Sequence, residues 1–271
     1  MATLKTQPFG TEGMNLSDLD IRLLGNFGSW STSSTSARFY DDSSNYALFT
    51  GKGFKFKTVD GALEAVTGGT ITKFELVVEG TKIFAFSGLN LSAAKIYDFY
   101  VDGDLRGALN ALLAGNDTIS GTRYADVLFG GRGDDALSGG AGNDTLKGDA
   151  GDDKLYGGAG RDKLTGGGGE DRFVFKSAAD SRGSTRDTIS DFKQSEKDRI
   201  DLRAIDASAK AGDQAFKFIG TNAFHDKAGE LRFERKAGDT IVHGDIDGDG
   251  KADFSIVIDA SINLKASDFI L

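Results

Sequence analysis

Apolar residues follow three different rhythms along this chain. In residues 1–111, short runs alternate apolar and polar positions: "ARFY" (37–40), "YALFTG" (46–51), "GFKFKTV" (53–59), "TITKFELVVEG" (70–80) and "TKIFAFSG" (81–88). Period-two alternation predicts half-buried strands, and "EGTK" (79–82) reads as a hairpin turn between the last two. A helical rhythm follows. Ser92 can cap a helix over 93–101, and Asp104 can cap one over 105–115 that Gly115 terminates. The apolar residues of the second helix, Leu105, Leu109, Leu112 and Leu113, are placed to plug the mouth of the next region.

From Leu112 to Val174 the rhythm has a period of nine. The blocks are "LLAGNDTIS", "GTRYADVLF", "GGRGDDALS", "GGAGNDTLK", "GDAGDDKLY", "GGAGRDKLT" and "GGGGEDRFV". The sixth position is Asp in every block: Asp117, Asp126, Asp135, Asp144, Asp153, Asp162 and Asp171. The eighth is apolar in every block, from Ile119 to Phe173. Gly admits the positive φ of a sharp turn, and the Asp that follows puts a carboxylate into that turn. Turned backbone also points carbonyl oxygens inward, so the donor set is all oxygen and suits a hard cation, Ca²⁺ before Zn²⁺. One apolar residue per block can bury almost nothing alone, so the blocks must stack.

In residues 175–271 glycine thins out and short alternating runs return: "DTISDF" (187–192), "DRIDL" (198–202), "AFKFIG" (215–220), "GELRFER" (229–235), "DTIVHGDIDGDGKADFSIVI" (239–258) and "DFIL" (268–271). They read as antiparallel strands. Within them, Asp245, Asp247, Asp249 and Asp253 match the opening and ninth position of an EF-hand loop, but Ile256 stands where its bidentate Glu belongs. The plainer reading is a tight acidic hairpin, and the alternative is an extra Ca²⁺ held by this nonstandard set.

Composition narrows the partners. The net charge of -9 argues against nucleic acid or an anionic membrane and suits cations. With no Cys, disulfides and thiol chemistry are excluded. No apolar run is long enough to span a membrane, and the first residues lack a signal-peptide core.

The nine-residue blocks resemble the RTX repeat G-G-x-G-x-D-x-U-x. The resemblance implies a parallel β-roll, mainly β in fold class, with two blocks per turn. Asp117, Asp135, Asp153 and Asp171 would then share one edge, and Asp126, Asp144 and Asp162 the other. Roughly five Ca²⁺ ions would sit between successive loops. The loop glycines involved are Gly130, Gly131, Gly133, Gly139, Gly140, Gly142, Gly148, Gly151, Gly157, Gly158, Gly160 and Gly169. The first two blocks depart from the pattern: they lack the double Gly, and Tyr124 replaces a loop Gly. Asp149 replaces a second Gly, as an extra ligand or an exposed carboxylate.

The order "FVFKSAADS…DTISDF…DRIDLRAID…GELRF…ADFSIVI…SDFIL" resembles the C-terminal domain of serralysin-type secreted proteases. That implies a cap on the open end of the roll and an uncleaved secretion signal at Asp268, Phe269, Ile270 and Leu271, read by a type I ABC transporter. The expected domains are 1–111, a β-rich module with one or two short helices; 112–174, the roll; and 175–271, the antiparallel β cap.

The zinc protease that serralysin-type domains usually follow is excluded. H-E-x-x-H needs two His one helical turn apart, and the chain has only His225 and His243. No G-x-S-x-G elbow exists. The expectation is an extracellular, non-catalytic Ca²⁺-binding protein from a Gram-negative bacterium. Its first 111 residues would engage a surface glycan or protein, with Trp30, Tyr40 or Tyr46 as candidate contacts. The alternative is a small glycan-acting enzyme drawing on Asp41, Asp42, Glu64, Glu75 or Glu79.

Overall fold

The structure is a computed structural model and describes residues 3–6, 29–40, 46–59, 62–78, 81–95, 105–208 and 214–271. The first strands are β1 (Thr3–Thr6), β2 (Ser29–Thr32), β3 (Ser36–Tyr40), β4 (Tyr46–Val59), β5 (Ala62–Val78) and β6 (Thr81–Ser92). β2 to β6 form an antiparallel meander, and β1 pairs antiparallel with β6. The two strands expected at 46–51 and 53–59 are one bulged strand, β4, whose register with β5 shifts around Gly51. Gly51 keeps that region continuous: a Cβ there would strike the Thr70 carbonyl and the Phe54 ring. Phe54, Ile71 and Phe74 are buried, and the Phe49 and Phe74 rings lie 4.7 Å apart.

The described start of the first expected helix, 93–95, is helical, and its Lys95 N–H reaches Ser92 Oγ at 3.3 Å. The rest of that helix, the cap Asp104 and part of the 79–82 turn lie outside the described residues. The second helix, α1, spans Leu105–Leu112. Leu112 and Leu113 are buried in the same apolar cluster as the roll residues, so they fill its first turn.

Each nine-residue block then contributes one strand: β7 (Thr118–Ser120), β8 (Val127–Arg132), β9 (Ala136–Ala141), β10 (Thr145–Ala150), β11 (Lys154–Ala159), β12 (Lys163–Gly168) and β13 (Arg172–Val174). Alternate blocks pair in parallel, β7-β9-β11-β13 on one face and β8-β10-β12 on the other. Two blocks therefore make one turn. The eighth-position residues stack in register, as in Leu137↔Leu155↔Phe173 and Leu128↔Leu146↔Leu164. Leu128, Leu146, Leu155 and Leu164 are fully buried between the two sheets. Burying each such side chain contributes about 1.5–3 kcal/mol.

The remaining strands are β14 (Thr188–Ile189), β15 (Arg199–Asp201), β16 (Lys217–Phe218), β17 (Glu230–Lys236), β18 (Asp239–Asp245), β19 (Phe254–Ile258) and β20 (Phe269–Ile270). Only β17-β18-β19 are antiparallel. The antiparallel strands expected throughout 187–271 are therefore not found: the other strands of this region pair in parallel. β14, β15 and β20 add parallel rungs to the roll, because Ile189 and Ile200 continue the two apolar columns above Leu164 and Phe173. β1 pairs parallel with β7, so the N-terminal sheet and one roll sheet form a single twelve-stranded sheet. No helix among the described residues is long and apolar enough to cross a membrane.

Candidate metal centre

The block 139–147 shows how the loop is made. Gly140 and Gly142 have φ of 108° and 111°, a region closed to most side chains. Gly139 has ordinary φ but no room: a Cβ there would fall on Asp144 Oδ2 and the Gly157 carbonyl oxygen. The same cradle recurs at Gly130, Gly148, Gly157 and Gly166, each against the Oδ2 of the Asp five residues later. The glycines thus let each carboxylate fold back onto its own loop.

The aspartates form two ladders. Asp135 Oδ1 accepts from the Asp117 N–H at 2.6 Å, Asp153 Oδ1 from Asp135 N–H at 2.8 Å, and Asp171 Oδ1 from Asp153 N–H at 3.0 Å. On the other edge, Asp144 Oδ1 accepts from Asp126 N–H and Asp162 Oδ1 from Asp144 N–H, both at 2.8 Å. One carboxylate oxygen therefore joins successive turns. The other oxygen has no such use. Oδ2 of Asp135, Asp144, Asp153, Asp162, Asp171 and Asp187 is buried without a hydrogen-bond partner among the described residues. A buried, unpartnered carboxylate oxygen is costly unless something cationic meets it.

Burial is the largest cause raising these acids, and neighbouring ladder carboxylates add to it, while the backbone N–H bond opposes. Asp135 and Asp144 are pushed up to about 7, Asp153 and Asp187 to about 8, and Asp171 to about 6. Asp162 is raised as well. A hard divalent cation among these oxygens would reverse the balance, because it favours the charged carboxylate. The residues present fit calcium: the donors are carboxylate and backbone carbonyl oxygens, with no sulfur or imidazole.

The sequence pattern of the family described as Peptidase M10 serralysin C terminal matches residues 111–271, more than half of the chain. The chain belongs to the serralysin C-terminal family. Its RTX-type repeats are a calcium-binding β-roll module. The chain is also similar to two repeat subunits of the mannuronan C5-epimerase of Azotobacter vinelandii. The AlgE6R2 subunit is 29% identical over 57% of this chain and 92% of that one, with a TM-score of 0.42. The AlgE6R3 subunit is 30% identical over 58% and 78%, with a TM-score of 0.29. No curated protein sequence matches the chain.

Within this serralysin-type region, the structure sorts the expected site residues. Asp135, Asp144, Asp153, Asp162 and Asp171 share one geometry. Asp126 departs from it: Thr122 N–H donates to Asp126 Oδ2 at 2.5 Å, and the Thr122 hydroxyl approaches Oδ1 at 3.3 Å. Tyr124, in the place of a loop glycine, has the Arg123 guanidinium 5.0 Å from its ring centre. Asp149 adopts φ 75° and is exposed, so it replaces the second glycine conformationally.

Two ladder members were not legible in the repeat. Asp187 Oδ1 accepts from Asp162 N–H at 2.9 Å, and Asp198 Oδ1 from Asp171 N–H at 3.1 Å. They continue the two edges 25 and 27 residues on instead of 18, so the nine-residue frame misses them. Their signal is the Asp two residues before Ile189 and Ile200, the spacing used inside the blocks. A second, outer ladder runs beside that of Asp117, Asp135, Asp153 and Asp171. Asp134 N–H donates to Asn116 Oδ1, Asp152 N–H to Asp134 Oδ1, and Glu170 N–H to Asp152 Oδ1.

The acidic loop after β18 brings Asp245, Asp247 and Asp253 together, with one oxygen of each within 4.8 Å of the others. Asp249 does not join them; its carboxylate binds Lys251 Nζ at 2.9 Å. Both Asp245 oxygens accept loop N–H groups, from Gly248 and Gly250, and Asp253 Oδ2 accepts from Ile246. Those bonds are what an acidic hairpin needs to close itself.

The two histidines are far from zinc chemistry. His225 Nδ1 lies 3.0 Å from Glu230 Oε1, and His243 Nδ1 lies 2.8 Å from Ser255 Oγ. Burial pulls His243 below its ordinary value. Of the candidate N-terminal residues, Asp41, Asp42 and Glu79, and the side chains of Trp30, Tyr46, Glu64 and Glu75, lie outside the described residues. Tyr40 is half-buried, with the Arg38 guanidinium 5.4 Å from its ring centre. At the other end, Asp268 Oδ2 accepts from Gln194 Nε2 at 2.5 Å and from Lys265 N–H at 2.8 Å. Phe269 is buried, and the Ile270 carbonyl accepts from Leu202 N–H at 2.9 Å.

Proposed function

We propose that this chain is a secreted, non-catalytic protein whose roll folds on extracellular calcium and presents residues 1–111 as an adhesion or interaction module. The supporting observation is the column of buried Oδ2 atoms without partners. In low cytosolic calcium those carboxylates would have to be desolvated unpaired, so the repeats stay open and export-competent. Sites of extracellular modules bind calcium at about 10⁻⁴–10⁻³ M, so calcium outside the cell would fill the ladders and fold the roll. The proposed ligands are the ladder carboxylates of Asp135, Asp144, Asp153, Asp162, Asp171 and Asp187, with the loop carbonyls beside them. Asp117 and Asp126 hold a weaker claim, because their blocks lack the paired glycines. About five ions is the expected order of loading. Asp268–Leu271 would be the address for a type I ABC transporter while the chain is unfolded.

Circular dichroism of the full chain in chelator and in calcium tests this. A large gain of β signal on adding calcium is expected, and an unchanged spectrum would sink the reading. A glycan array with the folded chain tests the N-terminal role: binding without turnover supports a module, and turnover refutes the non-catalytic assignment.

A further inference from the structure

The two edges of the roll end differently. On the edge of Asp126, Asp144 and Asp162, the last ladder residue is Asp187, whose Oδ2 is buried and unpartnered. On the edge of Asp117, Asp135, Asp153 and Asp171, the last is Asp198. Both of its oxygens are taken, Oδ1 by the Asp171 N–H and Oδ2 by the Lys193 N–H at 2.8 Å.

Loop carbonyls show what fills the gap below Asp198. The carbonyl oxygens of Leu113, Thr122, Gly140 and Asp149 each point to the second-position glycine one turn further on: Gly131, Gly140, Gly158 and Gly167. Two of these oxygens accept backbone N–H groups of the next turn, Leu113 from Arg132 and Thr122 from Ala141, both at 3.1 Å. The Gly167 carbonyl should do the same toward the loop 191–198, but that loop has no glycine. Lys193 stands there instead. Its ammonium donates to the Gly167 carbonyl oxygen and lies 3.1 Å from Glu196 Oε2. Asp191, two residues before it, accepts the Gly166 and Gly167 N–H groups at 2.8 Å, so the same loop clamps both sides of this turn. Its hydrogen bond to Glu196, helped by the charges of Glu196, Asp191 and Asp198, raises the Lys193 ammonium above its ordinary value.

We propose that the Lys193 ammonium is a tethered cation that takes the place of a divalent ion in the last gap of this edge. The ammonium meets a loop carbonyl and the Glu196 carboxylate, with the charges of Asp191 and Asp198 close by, which is cation chemistry, and the chain supplies the cation covalently. Asp198 then needs no ion, which accounts for its fully satisfied oxygens. This end of the roll closes without calcium, while the gap at Asp187 stays open for an ion. The inference rests on the calcium-binding reading of the ladders.

The test is the number of calcium ions bound per full-length chain at saturation, measured by equilibrium dialysis and elemental analysis. Lys193→Met removes the charge and keeps most of the stem. It is expected to bind one ion more than the parent. Lys147→Met is the control, since Lys147 lies on the outer face 5.5 Å from the Phe129 ring centre, and its count should match the parent. Equal counts for Lys193→Met and the parent overturn the proposal. If Lys193→Met loses its fold at calcium levels that fold the parent, recovery on raising calcium supports the proposal. Failure to recover at any calcium level overturns it. A parent that binds no calcium refutes the ladder reading itself, a separate outcome from a parent and variant that bind alike.

Discussion

The backbone N–H of Asp144 donates to Oδ1 of Asp162, one full turn further along the roll, at 2.8 Å. A single carboxylate thus has two jobs. Oδ1 ties one turn to the next, and Oδ2 is left buried for a cation. Substitutions can separate the jobs.

Asp153 is the clearest case, because Asp153 Oδ1 accepts from the Asp135 N–H and Oδ2 is unpartnered. Asp153→Asn keeps an acceptor and removes the charge. The calcium midpoint of folding should rise by about tenfold, as for the loss of about 1.4 kcal/mol of binding. In chelator at pH 8 the same variant should be no less stable than the parent, since it removes a buried charge. Asp153→Ala should cost a further ~1–3 kcal/mol by stranding the Asp135 N–H. Asp126→Asn should shift the midpoint far less, as Thr122 already holds that carboxylate. Calcium titrations followed by circular dichroism separate these cases. Equal shifts at Asp126 and Asp153 would refute the distinction.

Much of this was open to reading in the sequence. Asp at the sixth position and an apolar residue at the eighth of every nine-residue block can only be satisfied together by stacked turns, so the roll follows from the pattern. The pattern fails where the chain takes a longer path between rungs. Asp187 and Asp198 occupy rungs like those of Asp162 and Asp171, but the insertions before them hide the period. Strand direction was lost in the same place. Thr188–Ile189 and Phe269–Ile270 are too short to carry a signature, and only their neighbours make them parallel. In β4, glycine marked a bulge where a break between strands was expected, because Gly51 fits beneath the Phe54 ring without ending the ladder.

The glycines give a matched pair. At Gly139 a Cβ would meet Asp144 Oδ2 and the Gly157 carbonyl, whereas at Gly168 nothing lies within 4 Å and φ is not positive. Gly139→Ala should raise the calcium needed for folding or abolish the transition. Gly168→Ala should stay within about 0.5 kcal/mol of the parent, as for a surface change that meets nothing. Similar behaviour of the two would show that the carboxylate need not fold back onto its loop.

The apolar column predicts an ordinary core response. Leu146 stacks between Leu128 and Leu164 and is fully buried. Leu146→Ala should destabilise the calcium-loaded chain by about 2–5 kcal/mol. Because the column carries no charge, the number of ions bound at saturation should not change. Denaturant melts and an ion count together check this, and a lost ion would tie core and ladder more tightly than the geometry does.

Acidity should act on the metal-free chain in a defined direction. The folded-state values of Asp135, Asp144, Asp153, Asp171 and Asp187 lie at about 6 to 8, above the usual carboxylate value. Folding therefore takes up protons across this range. Its contribution is fully present below the unfolded-state value of about 3.9 and is lost as pH rises through the raised values. In chelator, the roll should be more structured at about pH 5.5 than at about pH 8. With calcium bound the ladders are charged and neutralised by the ions, so the preference should vanish or reverse. Metal-free circular dichroism across this range decides it; greater order at the alkaline end would contradict the ladder electrostatics.

The C-terminus is built into the fold, and the proposed export address lies within it. Phe269 is buried, Asp268 is held by Gln194 and the Lys265 N–H, and Ile270 bonds to Leu202, so Asp268–Leu271 is the last rung on β15. A segment held this way is not available to a transporter. Deleting residues 268–271 should abolish secretion from a cell that carries the matching type I transporter. It should also lower the stability of the purified, calcium-loaded chain, because β15 loses its outer partner and becomes an exposed edge. Appending a second copy of "DFIL" after Leu271 separates the two effects. The added copy has no rung to occupy, so the folded chain should keep its parent melting temperature. Undiminished secretion of the truncated chain would refute the address, and an unchanged melting temperature on truncation would refute the rung.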